Sequence, residues 1–544
     1  MVDCAMVTVM VAVTVASGVY APGHLGELTR WLPFELADDV LAVTGTVQKR
    51  LRLLPSRAGL YFVLALALFP EAGYLLVWQK LTAQLDSLGL AAPSEKALRD
   101  VRRRLGPAPL KALFEAVAVP LAPPGTPGVS WRGLRTVAFD GLNSVKVPDS
   151  KGNRSWLGKT MTRLGLAGYP ALRIVALAET GTRGLLGAVI GEEGERAEVV
   201  LAARLVPLLR AGMLLLGDRA YDAGELLAAV TAAGAQFLVR GTATRKPPVL
   251  EVLPDGSYLS CLETGDRCVR VRVVEADLAV HGADGSRAGD SYRLITTLLD
   301  WRRYPAGDLV ALYHERWEIE VAYLALRHTL LKGYVLRSGD RSGAEQELWA
   351  LLALYQALRM AMTDAAITAG TDPDRASFTI AAETARIQVT SAAGIAGTSD
   401  PDDTGQIGAA VLARPLPARR PRYSDRKVKC STSRYSAASP DRPALPVTIT
   451  RVQITIIVPP PDRPAARPRW KPNPAGRPPT TQEQVTAIMA SQPGTSCSAR
   501  DLAARFGITQ PQMRKRLARW ASQDHITRTS PGHYTLPATT DTGP

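Results

Sequence analysis

The sequence predicts a mixed α/β protein, with helices ahead of a covered sheet and a small separate domain behind it. Three observations predict this. Apolar residues recur at helical spacing up to about residue 125, and from Arg132 the pattern changes to short β-prone runs separated by helical ones. Residues 396–480 turn basic and Pro-rich, and regular helical spacing returns after residue 480. A chain of 544 residues is also too long for a single core, so two to four domains are expected.

Residues 1–24 open with MVDCAMVTVMVAVTVASG, which has Asp3 and no Lys or Arg before its apolar run. It therefore lacks the positive region of a signal peptide, and it is short for a membrane span. It reads as a buried strand or a frayed apolar extension, and no membrane association is expected. Residues 25–125 read as a helical domain: ELTRWLPFELADDVLAV, RAGLYFVLALALF, PSEKALRDVRRRLG and APLKALFEAV. The last pair, broken by Gly106 and Pro107, predicts a small helix-turn-helix with Arg102, Arg103 and Arg104 exposed. A plain bundle with one charged face is the other reading.

Residues 126–395 form the expected α/β domain. RTVAFD, NSVKVPD and LRIVALAET read as strands, ERAEVVLAARLVPLLR as a helix, then MLLLGD, ELLAAVTAAG and AQFLVRG as strand, helix and strand. Residues 241–307 interrupt the alternation with β-prone runs and read as an insertion. Its Arg270, Arg272, Trp301, Arg302 and Arg303 either hold a polyanion or form an edge and a core.

The stretch LYHERWEIEVAYLALRHTLL, 312–331, has no Pro or Gly and predicts one long helix. On that helix Tyr313, Arg316, Glu320 and Arg327 share an arc about 60° wide. Asp140 closes the strand TVAFD and Asp218 closes GMLLLGD. Open α/β sheets place their chemistry at such strand ends. Two Asp there plus a Glu on a later helix supply hard oxygen ligands for two Mg²⁺ ions, which clamp the attacking and leaving oxygens of a phosphodiester.

The basic segment 396–480 carries 15 Lys and Arg against six Asp and Glu. It reads as a linker that follows a phosphate backbone or merely solubilises, with VTITRVQITIIV as a strand able to dock. In residues 481–537, three helices (QEQVTAIMASQ, SARDLAARFG, TQPQMRKRLARWASQ) and two short strands predict a winged helix-turn-helix. Arg514, Lys515, Arg516 and Arg519 lie on or near its recognition helix.

Tyr313, Arg316 and Glu320 stand in the spacing Tyr-x2-Arg-x3-Glu, and DGLNSVKVPDS and GDRAYD carry the two Asp. In these motifs the chain resembles the DDE transposases of the insertion-sequence-four family, over roughly residues 20–395. The resemblance implies a ribonuclease H-like core and catalytic, metal-holding Asp140, Asp218 and Glu320. It implies two Mg²⁺, replaceable by Mn²⁺, and metal-dependent hydrolysis and transesterification at transposon ends and in target DNA. It also implies an N-terminal domain that contacts DNA, a hairpin intermediate, a homodimer on paired ends and a bacterial, nucleoid-associated cytoplasmic setting. Tyr313, Arg316, Arg219 and Arg327 would contact DNA, with Arg327 standing where the family has Lys. A DNA-binding protein with an idle acid site is the alternative.

A net charge of +15 and a pI near 9.7 agree with a polyanionic partner. The five cysteines are scattered without CxxC spacing, which predicts reduced thiols rather than a disulfide framework or zinc site. KGNRSWLGKT is no Walker loop, because five residues rather than four separate Gly152 from Gly158.

Overall fold

The computed structural model describes residues 25–49, 54–83, 93–391, 405–417, 449–459, 482–491, 496–506, 510–521, 525–530 and 533–536. Within these ranges 160, 163–164, 193–194, 196, 243, 265–266 and 284–286 are excepted. The apolar extension, most of the basic segment and residues 507–509 and 531–532 lie outside the described residues. The chain parts into two compact units, 1–466 and 467–544.

The first unit begins with helices α1 (Phe34–Val43), α2 (Ser56–Leu68), α3 (Tyr74–Thr82), α4 (Glu95–Leu105) and α5 (Ala108–Val117). The sequence of α2 is apolar all round, and the helix is buried almost all round, as that pattern requires. Gly59 lets α4 approach it, since a Cβ there would meet Val101 Cγ2 at 2.5 Å. Ser94 caps α4 by accepting from the Ala97 N–H at 3.2 Å, and Gly106 (φ 63) ends it. Of the three arginines expected to be exposed on α4, only Arg103 is. Arg102 is buried, donating to Gln346 Oε1 and pairing with Glu347 at 2.9 Å, while Arg104 donates to the Leu54 carbonyl. Leu98, Val101 and Leu105 turn α4 inward, and Arg102 joins them on the same buried face.

The main sheet comprises β1 (Leu134–Leu142), β2 (Ile174–Glu179), β3 (Leu185–Ile190), β4 (Met213–Gly217), β5 (Gln236–Arg240), β6 (Tyr258–Thr264), β7 (Arg267–Gly282) and β8 (Arg287–Thr296). Their order is β3-β2-β1-β4-β5-β8-β7-β6. β1, β4 and β5 are mutually parallel, and every other pairing in this order is antiparallel. The β-rich residues 241–307 thus continue the same sheet through the β5–β8 pair. Alternate residues of β1 face two cores: Ala138 and Leu142 join the helices, Val137 and Phe139 the opposite layer.

Helix α6 (Lys151–Leu157) covers the Gly-containing KGNRSWL, capped by Ser150. Helices α7 (Glu198–Ala203) and α8 (Gly224–Ala232) lie in the opposite layer, and α11 (Arg341–Thr368) and α12 (Phe378–Ser391) complete the helical core. The expected strand NSVKVPD forms a single bridge, Lys146 to Ala171, because Pro148 and Pro170 stop the ladder on each side. Strand β3 was hidden in the sequence by Gly184 and Gly187; Leu208 packs over Gly187.

Two of the five cysteines, Cys261 and Cys268, are disulfide-bonded, contrary to the expectation of reduced thiols. They lie diagonally across β6 and β7 with Cα atoms 5.8 Å apart, within disulfide reach. Arg272 is also structural: fully buried, it pairs with Asp255 and donates to Ser257 Oγ at 2.8 Å and the Tyr304 carbonyl at 2.6 Å. Arg302 and Arg303 are exposed. Part of the basic segment also packs on this unit: helix α13 (Gly405–Ala413) joins the helical core, and strand β9 (Ile449–Ile456) runs antiparallel to the second half of β7.

In the second unit, α14 (Gln482–Ala490), α15 (Ala499–Phe506) and α16 (Gln510–Ala521) pack with a three-stranded antiparallel sheet. Its strands are β10 (Cys497–Ser498), β11 (Thr527–Ser530) and β12 (His533–Thr535). Val485, Leu502, Met513, Leu517, Trp520 and Tyr534 form its core. Ser498 Oγ accepts from the Asp501 N–H at 3.1 Å, capping α15.

Candidate active site

Asp140 lies near the end of β1, and Asp218 directly follows β4, the parallel neighbour of β1. Asp218 Oδ1 accepts from the Ala220 N–H at 2.7 Å and caps a short turn, Arg219–Tyr221. Parallel pairing therefore brings both acids to the same end of the sheet.

Glu320 comes from a segment that the periodicity presented as one helix and the structure divides. Helix α9 (Ala306–Tyr313) runs into a 3₁₀ turn, His314–Arg316, then α10 (Trp317–Leu324), then a π-helical turn, Ala325–Leu330. Each change of helical pitch rotates the residues beyond it, so a wheel of fixed pitch no longer gives the angle between Arg327 and Glu320. Arg327 donates to His328 Nε2 at 3.1 Å. Lys332 pairs with Glu71 at 3.5 Å.

Helix α10 is fixed to the Asp140 strand by Tyr323, whose hydroxyl donates to the Asp140 carbonyl at 2.6 Å. Arg316, buried, donates to Glu320 Oε1 at 3.2 Å and lies 5.9 Å from the Tyr313 ring. Burial works against its charge, but Tyr313, Glu320, Asp218 and Asp140 outweigh that and raise its pKa. Three carboxylates thus act on one guanidinium. Burial, and next the neighbouring Glu320 charge, push Asp140 up to about 7. Burial raises the Tyr313 phenol to about 12 against the pull of Arg316.

Among the described residues, no three His, Cys, Asp or Glu side chains stand close enough to hold a metal as placed; Glu320 is turned onto Arg316. The donor set nevertheless fits a divalent cation. It consists of hard carboxylate oxygens; burial first and the Glu320 charge second raise the Asp140 pKa, and a bound cation would favour its charged form.

Beside Asp218, a cleft of about 270 Å³ is lined by Arg219, Arg240, Tyr292 and Arg293, with the Arg240 guanidinium 4.4 Å from the Tyr292 ring centroid. Arg219 is exposed. In the second unit, Arg514, Lys515 and Arg519 are exposed on α16 and Arg516 half-buried.

Sequence reasoning missed Tyr323, Arg240 and the buried pair Arg183–Glu318, whose Nε and Oε2 are 2.6 Å apart. Tyr323 is three residues from Glu320, a spacing that puts it near the acid's own face, and that was the available signal. Arg183 had none, because only the tertiary fold brings it to Glu318.

Two family models match: "Insertion element 4 transposase N-terminal" over residues 22–115 and "Transposase DDE domain" over 131–356. The chain is 27% identical over 423 residues to the transposase InsG for insertion sequence element IS4 of Escherichia coli K12, covering 76% of this chain and 94% of that one. It is 27% identical over 199 residues to the putative transposase InsZ of the same organism, covering 36% of this chain and 64% of the relative. Among the described residues no helix is long and apolar enough to cross a membrane. Acids at the ends of two parallel strands, an acid on a later helix, and these matches have one reading: the chain is a DDE transposase of the insertion sequence 4 family, an enzyme that acts on DNA and depends on divalent metal.

Proposed function

We propose that Asp140, Asp218 and Glu320 are the catalytic acids and hold two Mg²⁺ ions, with Mn²⁺ a working substitute. The observation that supports this is that Asp140 and Asp218 end neighbouring parallel strands while Glu320 bonds Arg316, a guanidinium on which the charges of all three acids act. Bound there, the ions would supply Lewis-acid stabilisation to the attacking and leaving oxygens of a phosphodiester. The reactions are hydrolysis at the element's ends and transesterification into target DNA. The order β3-β2-β1-β4-β5 supports a ribonuclease H-like core, since its three antiparallel strands precede two parallel ones that each follow a crossover.

The chain's own residues orient the DNA. With Glu320 holding a metal ion, Arg316 would offer its planar fork to a phosphate oxygen. Tyr313 packs edge-on against Tyr292, with ring centroids 5.7 Å apart, and so holds the Arg316 side of the site in place. Arg219 and Arg327 supply further phosphate contacts at the mouth. Helices 25–125 contact the element's end, and a homodimer pairs two ends. The second unit acts as a winged helix-turn-helix, with Arg514, Lys515, Arg516 and Arg519 on the phosphates. The enzyme works in the bacterial cytoplasm at the nucleoid.

Cleavage of DNA carrying the element's own terminus tests this. Glu320→Gln should abolish cleavage and leave DNA binding within about twofold; cleavage at the wild-type rate would end the assignment.

A further inference from the structure

We propose that Arg183 is a positioning residue for Glu320, acting through Glu318; this rests on the reading of Asp140, Asp218 and Glu320 as the metal-holding acids. Helix α10 needs such a device. It has no side-chain N-cap, and it is joined to a 3₁₀ turn before it and a π turn after it. No single hydrogen-bond ladder runs through the segment, so its rotation about its own axis is not set by continuity with a longer helix.

Glu318 and Glu320 are two residues apart, which puts them about 200° apart on the helix. Glu320 has a side chain 37% exposed and faces the site, while the Glu318 side chain is only 7% exposed and points behind it. There Arg183 Nε donates to Glu318 Oε2 at 2.6 Å, and an Arg183 terminal nitrogen pairs with Asp374. Arg183 is itself fixed. It sits in the β2–β3 turn at φ 58, its N–H donates to the Glu179 carbonyl at 2.9 Å, and its carbonyl accepts from the Tyr355 hydroxyl at 2.8 Å. Arg359, also buried, donates to that hydroxyl at 2.9 Å. Two arginines and two acids thus form a charge-balanced buried group linking the sheet, α10, α11 and the turn Pro373–Arg375.

Buried ion groups of this kind contribute little net stability compared with apolar packing, because desolvation offsets attraction. What this group supplies is direction. Its fork grips Glu318 from behind, and Tyr323 grips the Asp140 carbonyl in front. Together they set the angle at which Glu320 leaves the helix.

The test uses the full-length protein, with Mn²⁺ binding read from the electron paramagnetic resonance of free Mn²⁺ and folding from thermal unfolding. Neither readout depends on cleavage. Glu318→Ala should raise the Mn²⁺ dissociation constant about tenfold, the usual effect of losing a group that orients a ligand. Glu318→Gln still accepts from Arg183 Nε and should return it to within about threefold of wild type. Arg183→Lys has one ammonium where two acids need a fork, and should behave as Glu318→Ala does. A folded Glu318→Ala protein that binds Mn²⁺ as wild type does overturns the proposal. If that variant does not fold, equal Mn²⁺ affinities in Glu318→Gln and Arg183→Lys overturn it. Glu320→Gln is the control: wild-type Mn²⁺ affinity there overturns the acid-site reading itself, and this proposal with it.

Discussion

The Tyr323 hydroxyl donates a 2.6 Å hydrogen bond to the backbone carbonyl of Asp140, joining the helix of the third acid to the strand of the first. The two residues are 183 apart in sequence, and the hydrogen bond between them is partly buried. An unmade hydrogen bond at such a place costs about 1–3 kcal/mol. Tyr323→Phe should therefore lower unfolding free energy by about that amount in a denaturant titration. It should also weaken metal binding, because the distance between Asp140 and Glu320 is then less constrained. Unchanged stability would show that water replaces the hydroxyl without loss.

Metal-free protein should lose stability as pH rises from about 4 to about 7. Burial, and then Glu320, raise Asp140 from 3.8 to about 7 in the folded state. The folded protein thus holds a proton over that window that the unfolded chain has released. This contribution is fully present below the unfolded value and is lost as pH passes the folded one. Mg²⁺ should reverse the trend, since it binds only the deprotonated carboxylate. Melting curves at several pH values, with and without Mg²⁺, check both halves; a metal-free stability that rises across the window would contradict them.

Arg327→Lys should keep most cleavage activity and Arg327→Ala should lose about tenfold or more. Arg327 bonds His328, whose pKa burial and then Arg327 both lower, so the pair carries a single positive charge near neutral pH. Equal cleavage rates in all three proteins would mark Arg327 as a solvated residue of the π turn.

Much of this was legible in the sequence, for identifiable reasons. Asp140 and Asp218 could be placed because each closes an apolar run, and parallel pairing of those runs puts both acids at one edge. Glu320 was legible as an acid on a helix. The direction of Arg327 was not, because a wheel of fixed pitch cannot foresee a 3₁₀ turn at 314–316 and a π turn at 325–330. Nor could charge alone separate Arg302, exposed, from Arg272, buried on Asp255, since only the strand register decides which face an arginine takes. Strand β9 was legible as a strand able to dock, although it lies in a segment whose composition argued for a linker. Its alternating Val452, Ile454 and Ile456 pack on the core and outweigh that composition locally.

That strand determines where the C-terminal unit can be removed. A cut after Ile395 would strip α13 and β9 from the first unit, whereas a cut after Ala466 leaves both. The protein ending at Ala466 should stay folded, bind DNA less tightly and show a shallower dependence of log affinity on log salt, since fewer counterions are released. An unchanged slope would assign the second unit to protein docking.

The most direct measurement is a crystal structure of the full chain soaked in Mn²⁺, with the ions located by anomalous scattering. Two peaks about 3.5–4 Å apart among the carboxylates of Asp140, Asp218 and Glu320, with Glu320 turned away from Arg316, are the expected result. Anomalous density that is absent from this group, with Glu320 still on Arg316 at a saturating concentration of Mn²⁺, would contradict it.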